Sequence, residues 1–192
     1  MDETNLISHS KFLDFKSAKS PAGHDWYYVK RTNDKKTHDS AVVITTLVKK
    51  DGEYNFLFLK TKRPPIYGEN KATFCIESPA GLIGDIDKNE TLSECAKKEL
   101  LEEAGIEPNK VFVELINSST SAGLSSETLS YVTAVAENYD VISKPVSDGG
   151  IICEIFFIPA KKVRDYIDNL DQKENSVAAA TLCGVFLALK RL

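Results

Sequence analysis

The stretch from Gly81 to Ile106, GLIGDIDKNETLSECAKKELLEEAGI, constrains the fold more than any other, because it specifies a helix that cannot be wholly solvated. Thr91 with Glu94 three residues on has the form of a capping box, and Gly105 stands where a left-handed C-terminal cap belongs. The spacing therefore predicts a helix from Thr91 to Ala104. At about 100° per residue, Leu92, Cys95 and Ala96 share a stripe that must face a core. Followed onward, that stripe meets Glu99, Glu102 and Glu103. In the last turns of a helix the dipole disfavours each negative charge by about 0.3–1 kcal/mol, and Glu99 repels Glu103 at i,i+4. Acidic oxygens crowded at a partly buried spot are what a hard divalent cation requires. A solvated acidic helix end, neutralised by Lys or Arg from elsewhere, is the alternative, and the stripe alone leaves both open.

The remaining sequence reads as one globular domain with an appended arm. Its 192 residues, 42% hydrophobic and 27% charged, are enough for a sizeable core. A net charge of −4 offers no broad footprint for nucleic acid or an anionic membrane. The acidic start Met1-Asp2-Glu3 is followed by no apolar run, so neither a signal peptide nor a membrane span is expected. Cys75, Cys95, Cys153 and Cys183 are far apart, lie in apolar surroundings and form no C-x-x-C pair, which predicts reduced core residues and a cytoplasmic protein.

Residues 1–25 are mixed, with strand-like alternation only over Lys11–Lys16. Ala41–Val48 and Tyr54–Thr61 are strand-rich runs joined through Asp51-Gly52, a hairpin signal. Ile66–Ala72 reads as a loop and Thr73–Glu77 as a strand returning toward the acidic helix. Beyond that helix, Val111–Ile116, Thr128–Ala136 and Ile151–Ile158 read as strands, Asn117–Glu127 as a polar loop, and Lys162–Leu170 and Ser176–Leu192 as helices. This order predicts an α/β fold with a two-sided sheet. The arm is expected over 1–38 and the main domain over 39–192.

Gly84, then Glu90, then Lys98-Glu99-Leu100-Leu101-Glu102-Glu103-Ala104-Gly105-Ile106 resembles the Nudix box, the signature of hydrolases acting on nucleoside diphosphates linked to another group. The family has Arg where Lys98 stands, ion-paired to hold the glutamates; Lys keeps the charge and loses the bidentate fork. Glu77-Ser78-Pro79-Ala80-Gly81-Leu82-Ile83 is similar to the E-x-P-A-G-L-I segment of the ADP-ribose and ADP-sugar pyrophosphatase branch. That branch begins its box at the Gly of P-A-G, here Gly81, whereas spacing selects Gly84. An insertion before Glu90 accounts for this, and both glycines are candidates for the tight turn. Ser121-Ala122-Gly123-Leu124-Ser125 resembles the branch's S-P-G-x-S loop, with Ala122 in place of its Pro.

The resemblance implies a Nudix-type α/β/α sandwich with a mixed sheet and an N-terminal antiparallel β arm, exchanged between subunits of a homodimer. It implies magnesium, or manganese, held by Glu99, Glu102, Glu103 and the carbonyl of Ala80. Glu99 and Glu103 would be direct ligands, Glu102 a ligand or water orienter, and Lys98 their ion-pair partner. Arg63, its backbone kept extended by the diproline that follows, would lie on the diphosphate. Glu77, Gly81 and Gly123 would line the substrate site. Trp26 would stack on adenine, with Phe12 or Phe15 as a second aromatic; anchoring a strand is the alternative for this tryptophan. Glu102, Asp148 and Glu154 are the candidates for a general base. The implied reaction is hydrolysis of ADP-ribose or a related ADP-sugar to AMP and a sugar phosphate. Another nucleotide substrate (NADH, a diadenosine polyphosphate, a GDP-sugar) and a non-catalytic ADP-ribose sensor are the alternatives, and the retained carboxylates favour an enzyme.

Overall fold

The computed structural model describes residues 4–32, 40–69, 71–84, 87–137 and 151–192. The boundary drawn at 38/39, and Asp148 with its loop, lie outside them. β1 (Asn5–His9), β2 (Leu13–Lys19) and β3 (Asp25–Arg31) form an antiparallel sheet in the order β1-β2-β3. A second sheet is built around β4 (Ser40–Lys50), whose apolar run Val42–Ile44 and Leu47–Val48 is buried on both faces. Asp51 and Gly52 both take positive φ, 52° and 82°, closing a tight hairpin into β5 (Glu53–Thr61) with Lys50 opposite Glu53.

The other strands are β6 (Phe74–Glu77), β7 (Ala80–Leu82), β8 (Lys110–Ser119), β9 (Thr128–Ala136), β10 (Ile152–Pro159) and β11 (Asn175–Val177). The order is β11-β6-β5-β4-β9-β8, with β10 on β5 and β7 on β4. The β4/β9 and β6/β11 pairs are parallel and the others antiparallel, so the sheet is mixed, as expected. Side-chain alternation separates two cores. Val42, Ile44, Leu57, Leu59, Val132 and Ala134 face the helix α2 (Leu92–Ala104), together with its Cys95, Ala96 and Leu100. Leu47, Phe56, Phe58 and Val135 face the opposite layer, with Val163 and Val185 from the helices now numbered α3 (Val163–Asp168) and α4 (Ala179–Ala188). This is the expected α/β/α sandwich.

The sheet splits where the candidate residues gather. Pairing of β4 with β5 stops at Thr46 opposite Leu57. Beyond it, β6 takes the edge of β5, with Glu77 opposite Leu59, and β7 takes the edge of β4, with Ala80 opposite Val43 and Gly81 opposite Val42. The Ile44 N–H donates to the Pro79 carbonyl at 2.8 Å, fixing the crossover. β9 starts at the same end, Thr128 opposite Ser40, so the loop before it is brought there too.

Three expectations change. Ser176–Leu192 is not one helix: Asn175–Val177 pairs in parallel with β6, whose open edge demands a partner, and α4 begins only at Ala179. The loop after Arg63 opens with a one-turn helix, α1 (Pro64–Tyr67), which the two prolines at its start favour. All four cysteines are free thiols and Cys75 and Cys95 are buried, but Cys183 is half-buried and Cys153, at an irregularity of β10 between Ile152 and Glu154, is exposed. No helix among the described residues is long and apolar enough to cross a membrane.

Candidate active site

The local signals of α2 are realised as read. Glu94 N–H donates to Thr91 Oγ1 at 3.3 Å, Thr91 N–H donates to Glu94 Oε2 at 2.8 Å, and Gly105 caps the other end with φ 68°. Ahead of the helix, Gly84 takes φ 74° and donates its N–H to Glu90 Oε2 at 3.0 Å. Lys98 Nζ lies 3.2 Å from Glu90 Oε1 and 3.3 Å from Glu99 Oε1. A single ammonium thus ties the loop acid to the helix acid.

The two glycines have different tasks. Gly84 is the left-handed turn. Gly81 lies in β7, and a Cβ there would stand 2.0 Å from Glu99 Cδ, so any larger residue would push the Glu99 carboxylate aside. One residue earlier, the Ala80 N–H donates to Glu103 Oε2 at 3.1 Å. Glu99 and Glu103 are both half-buried against β7, while Glu102 is exposed on the same helix. Burial pushes the Glu103 carboxyl up to about 7, with Glu99 and Glu77 adding to the rise and the Ala80 N–H and Arg63 opposing it.

Arg63 stands within electrostatic range of Glu103 and is held from behind: its Nε donates to Glu77 Oε2 at 2.7 Å. The same oxygen is 2.9 Å from Thr61 Oγ1, a buried hydroxyl that is also 3.2 Å from the Cys75 carbonyl. Thr61 was not singled out from the sequence. Its inward position in the series Leu57, Leu59, Thr61 was the available signal, a polar group where the alternation calls for an apolar one. Glu154, on β10, is exposed and pairs across the strands with Lys60.

Trp26 and Gly123 come together: the indole Nε1–H donates to the Gly123 carbonyl at 3.0 Å, and the ring remains about half exposed (53%). Phe15 stacks on Tyr27, which strand alternation places on the other face of β3, and Phe12 lies level with Thr32, past the far end of that strand. Neither is beside Trp26 within one chain.

Among the described residues no three His, Cys, Asp or Glu side chains close on one point, so the protein by itself supplies no complete metal cage. Magnesium asks for less: one or two carboxylates, with waters and substrate phosphates completing its octahedron. Glu103, driven upward by burial and by Glu99, is a carboxylate whose charge is under-compensated by the protein. A divalent cation fits that donor set.

Comparison with known proteins agrees with this architecture. A chain from Caenorhabditis elegans named "Putative nudix hydrolase 2" is 29% identical over 164 residues, 82% of this chain and 69% of that one. The crystal structure of an ADP compounds hydrolase, 18% identical, covers 99% of this chain and 91% of its own with a TM-score of 0.66. The NUDIX domain of Shewanella oneidensis NrtR, complexed with ADP-ribose, is 17% identical and covers 79% and 86% with a TM-score of 0.56. Identities this low speak to the fold. The family model of the NUDIX domain matches residues 36–178, most of the chain and all of the acidic helix, and the protein therefore belongs to the Nudix family.

Proposed function

We propose that this protein hydrolyses the diphosphate linkage of ADP-ribose or a related ADP-sugar, giving AMP and a sugar phosphate. The observation that carries the reading is the pair Glu99 and Glu103, half-buried against Ala80 and Gly81, with Arg63 in electrostatic range of Glu103. Glu99, Glu103 and the Ala80 carbonyl would hold magnesium or manganese, with Glu102, exposed on the same helix, as a further ligand or the orienter of the attacking water. When bound, such a cation supplies charge neutralisation of the diphosphate and acidifies water.

The remaining roles belong to the chain. Lys98 keeps Glu99 in register with the loop through Glu90. The Nε of Arg63 is engaged by Glu77, which leaves the two terminal nitrogens of its fork as donors to diphosphate oxygens. Trp26 offers its ring face to adenine, since its N–H is spent on Gly123. In the reaction the oxygen of water adds to one phosphorus, the anhydride P–O bond breaks, and the departing phosphate keeps the bridging oxygen. The arm would pair two copies of the chain: Leu6, Ile7, Leu13 and Phe15 expose apolar surface that a homodimer would cover.

The test is product analysis with magnesium across ADP-ribose, ADP-glucose, NADH, diadenosine tetraphosphate and GDP-mannose, with Glu103→Gln alongside. AMP and ribose 5-phosphate from ADP-ribose, lost in the variant, is the expected result. Cleavage of a different member alone would replace the substrate and keep the site. Tight binding of ADP-ribose with no product would replace the enzyme by a sensor.

A further inference from the structure

The N-terminal sheet and the loop before β9 meet along a seam. Val29 donates its N–H to the Leu124 carbonyl at 2.8 Å and accepts from the Ser126 N–H at 3.1 Å, making a parallel bridge between β3 and residue 125. Trp26 donates to Gly123 on the same loop. At the far end of the seam Arg31 Nε donates to Glu127 Oε1. The loop is otherwise closed on itself: Leu124 and Ser125 both donate to the Ser121 carbonyl, and Glu127 N–H donates to Ser125 Oγ. The arm therefore sits on the loop of its own chain, and Trp26 and Gly123 are brought together by a joint to which neither contributes a charge.

We propose that Arg31 and Glu127 are positioning residues for nucleobase binding: their ion pair locks the loop 121–127 under β3 and so sets the orientation of the Trp26 ring. This rests on the role given to Trp26 in the proposed function. The indole N–H is committed to a backbone carbonyl, so the ring can offer a base only its face and the angle of that face governs the stacking. Trp26 is five residues from Arg31 on one strand, and Gly123 is four from Glu127 on one loop. Loss of the pair frees both sides of the shelf while leaving α2, β7 and Arg63 untouched. Glu127 is also the last residue before β9, whose Thr128 pairs with Ser40 of β4, so the clamp is anchored on the main domain rather than on another loop.

Trp26 is the sole tryptophan of the chain, and its fluorescence reports the shelf directly. Titration with AMP measures nucleobase binding, and inhibition by ribose 5-phosphate measures the sugar-phosphate end. Arg31→Met and Glu127→Gln should each raise the AMP Kd and the KM for ADP-ribose by about fivefold, with kcat held within about twofold. The exchange variant, Arg31→Glu with Glu127→Arg, should recover most of the loss, and ribose 5-phosphate inhibition should be the same in all. Unchanged AMP affinity, an equal weakening of ribose 5-phosphate, or a fall in kcat at constant KM would each overturn the proposal. If the parent protein releases no AMP from ADP-ribose yet its AMP affinity depends on this pair, the proposed reaction fails and the positioning role stands.

Discussion

Two glutamates of this protein have opposite fates. Glu114, on β8, has a side chain only 1% exposed, and Arg191 holds it with Nε at 2.8 Å and Nη2 at 3.2 Å while Lys190 Nζ approaches to 2.6 Å. Burial acts to raise its carboxyl, hydrogen bonds from Arg191 and Lys190 outweigh that, and it falls to about 2. Glu103, on α2, is half-buried with one backbone N–H and a more distant guanidinium, has acidic neighbours in Glu99 and Glu77, and rises to about 7. Burial raises the stakes in both; the partners decide the sign. A carboxylate with a full set of cations is a structural rivet. One left short of positive charge is available to a ligand that brings its own.

The strongest test of that contrast is chemical. Glu103→Gln should lower kcat by about 10³-fold with the circular dichroism spectrum preserved, the size expected when a preorganised charge is removed from a site. Turnover at the parent rate would mean that Glu103 is as structural as Glu114. The reverse experiment strips the rivet: Arg191→Met with Lys190→Met leaves Glu114 without its cations and should lower the urea unfolding midpoint, with substrate affinity of the folded fraction unchanged. An unchanged midpoint would show that the sheet tolerates the bare acid.

pH separates the two acids further. Glu114 has a folded-state value below the ordinary 4.5, so its contribution to stability is present above 4.5 and is lost as pH falls toward about 2. Glu103 has a folded-state value above 4.5, so its contribution is present below 4.5 and is lost as pH rises through about 7. In metal-free protein the thermal midpoint should therefore decline between pH 4.5 and 7. Glu103→Gln should flatten that decline, and magnesium should raise the midpoint at pH 7 or above in the parent but not in the variant. The smallest expected effect is that of Thr61→Val, which removes one hydrogen bond to Glu77. It should raise KM about fivefold through a loosened Arg63 and leave kcat nearly unchanged. An unaltered KM would make Cys75, through its carbonyl, the true partner of that hydroxyl.

What was legible in the sequence was local. The ends of α2 are written in Thr91, Glu94 and Gly105, and the hairpin in Asp51 and Gly52, because capping and turn chemistry act over three or four residues. The two-sided sheet follows from the order of strand-like and helical runs. The strands β7 and β11, three residues each, have no such signature; they exist because β4 and β6 present open edges. For the same reason Ser176–Val177 read as the start of a helix. The glycine ambiguity dissolved only when Glu99 was seen against Gly81. Arg31 with Glu127, and Arg191 with Glu114, are separated by 96 and 77 residues, and nothing local in the sequence announces either pair.

The split between β4 and β5 has a consequence for the acidic pair. The hairpin turn at Asp51-Gly52 would let the two strands zip well past Thr46 and Leu57, and residues 41–44 and 59–61 have the β-branched and aliphatic composition to pair with each other. That zipped hairpin would satisfy its own backbone and close the gap into which β7 fits, leaving Ala80 and Gly81 with no place beside Glu103 and Glu99. The seat of the acidic pair therefore depends on this division of the sheet: with β4 and β5 paired along their whole length, β7 would have no edge of β4 to occupy.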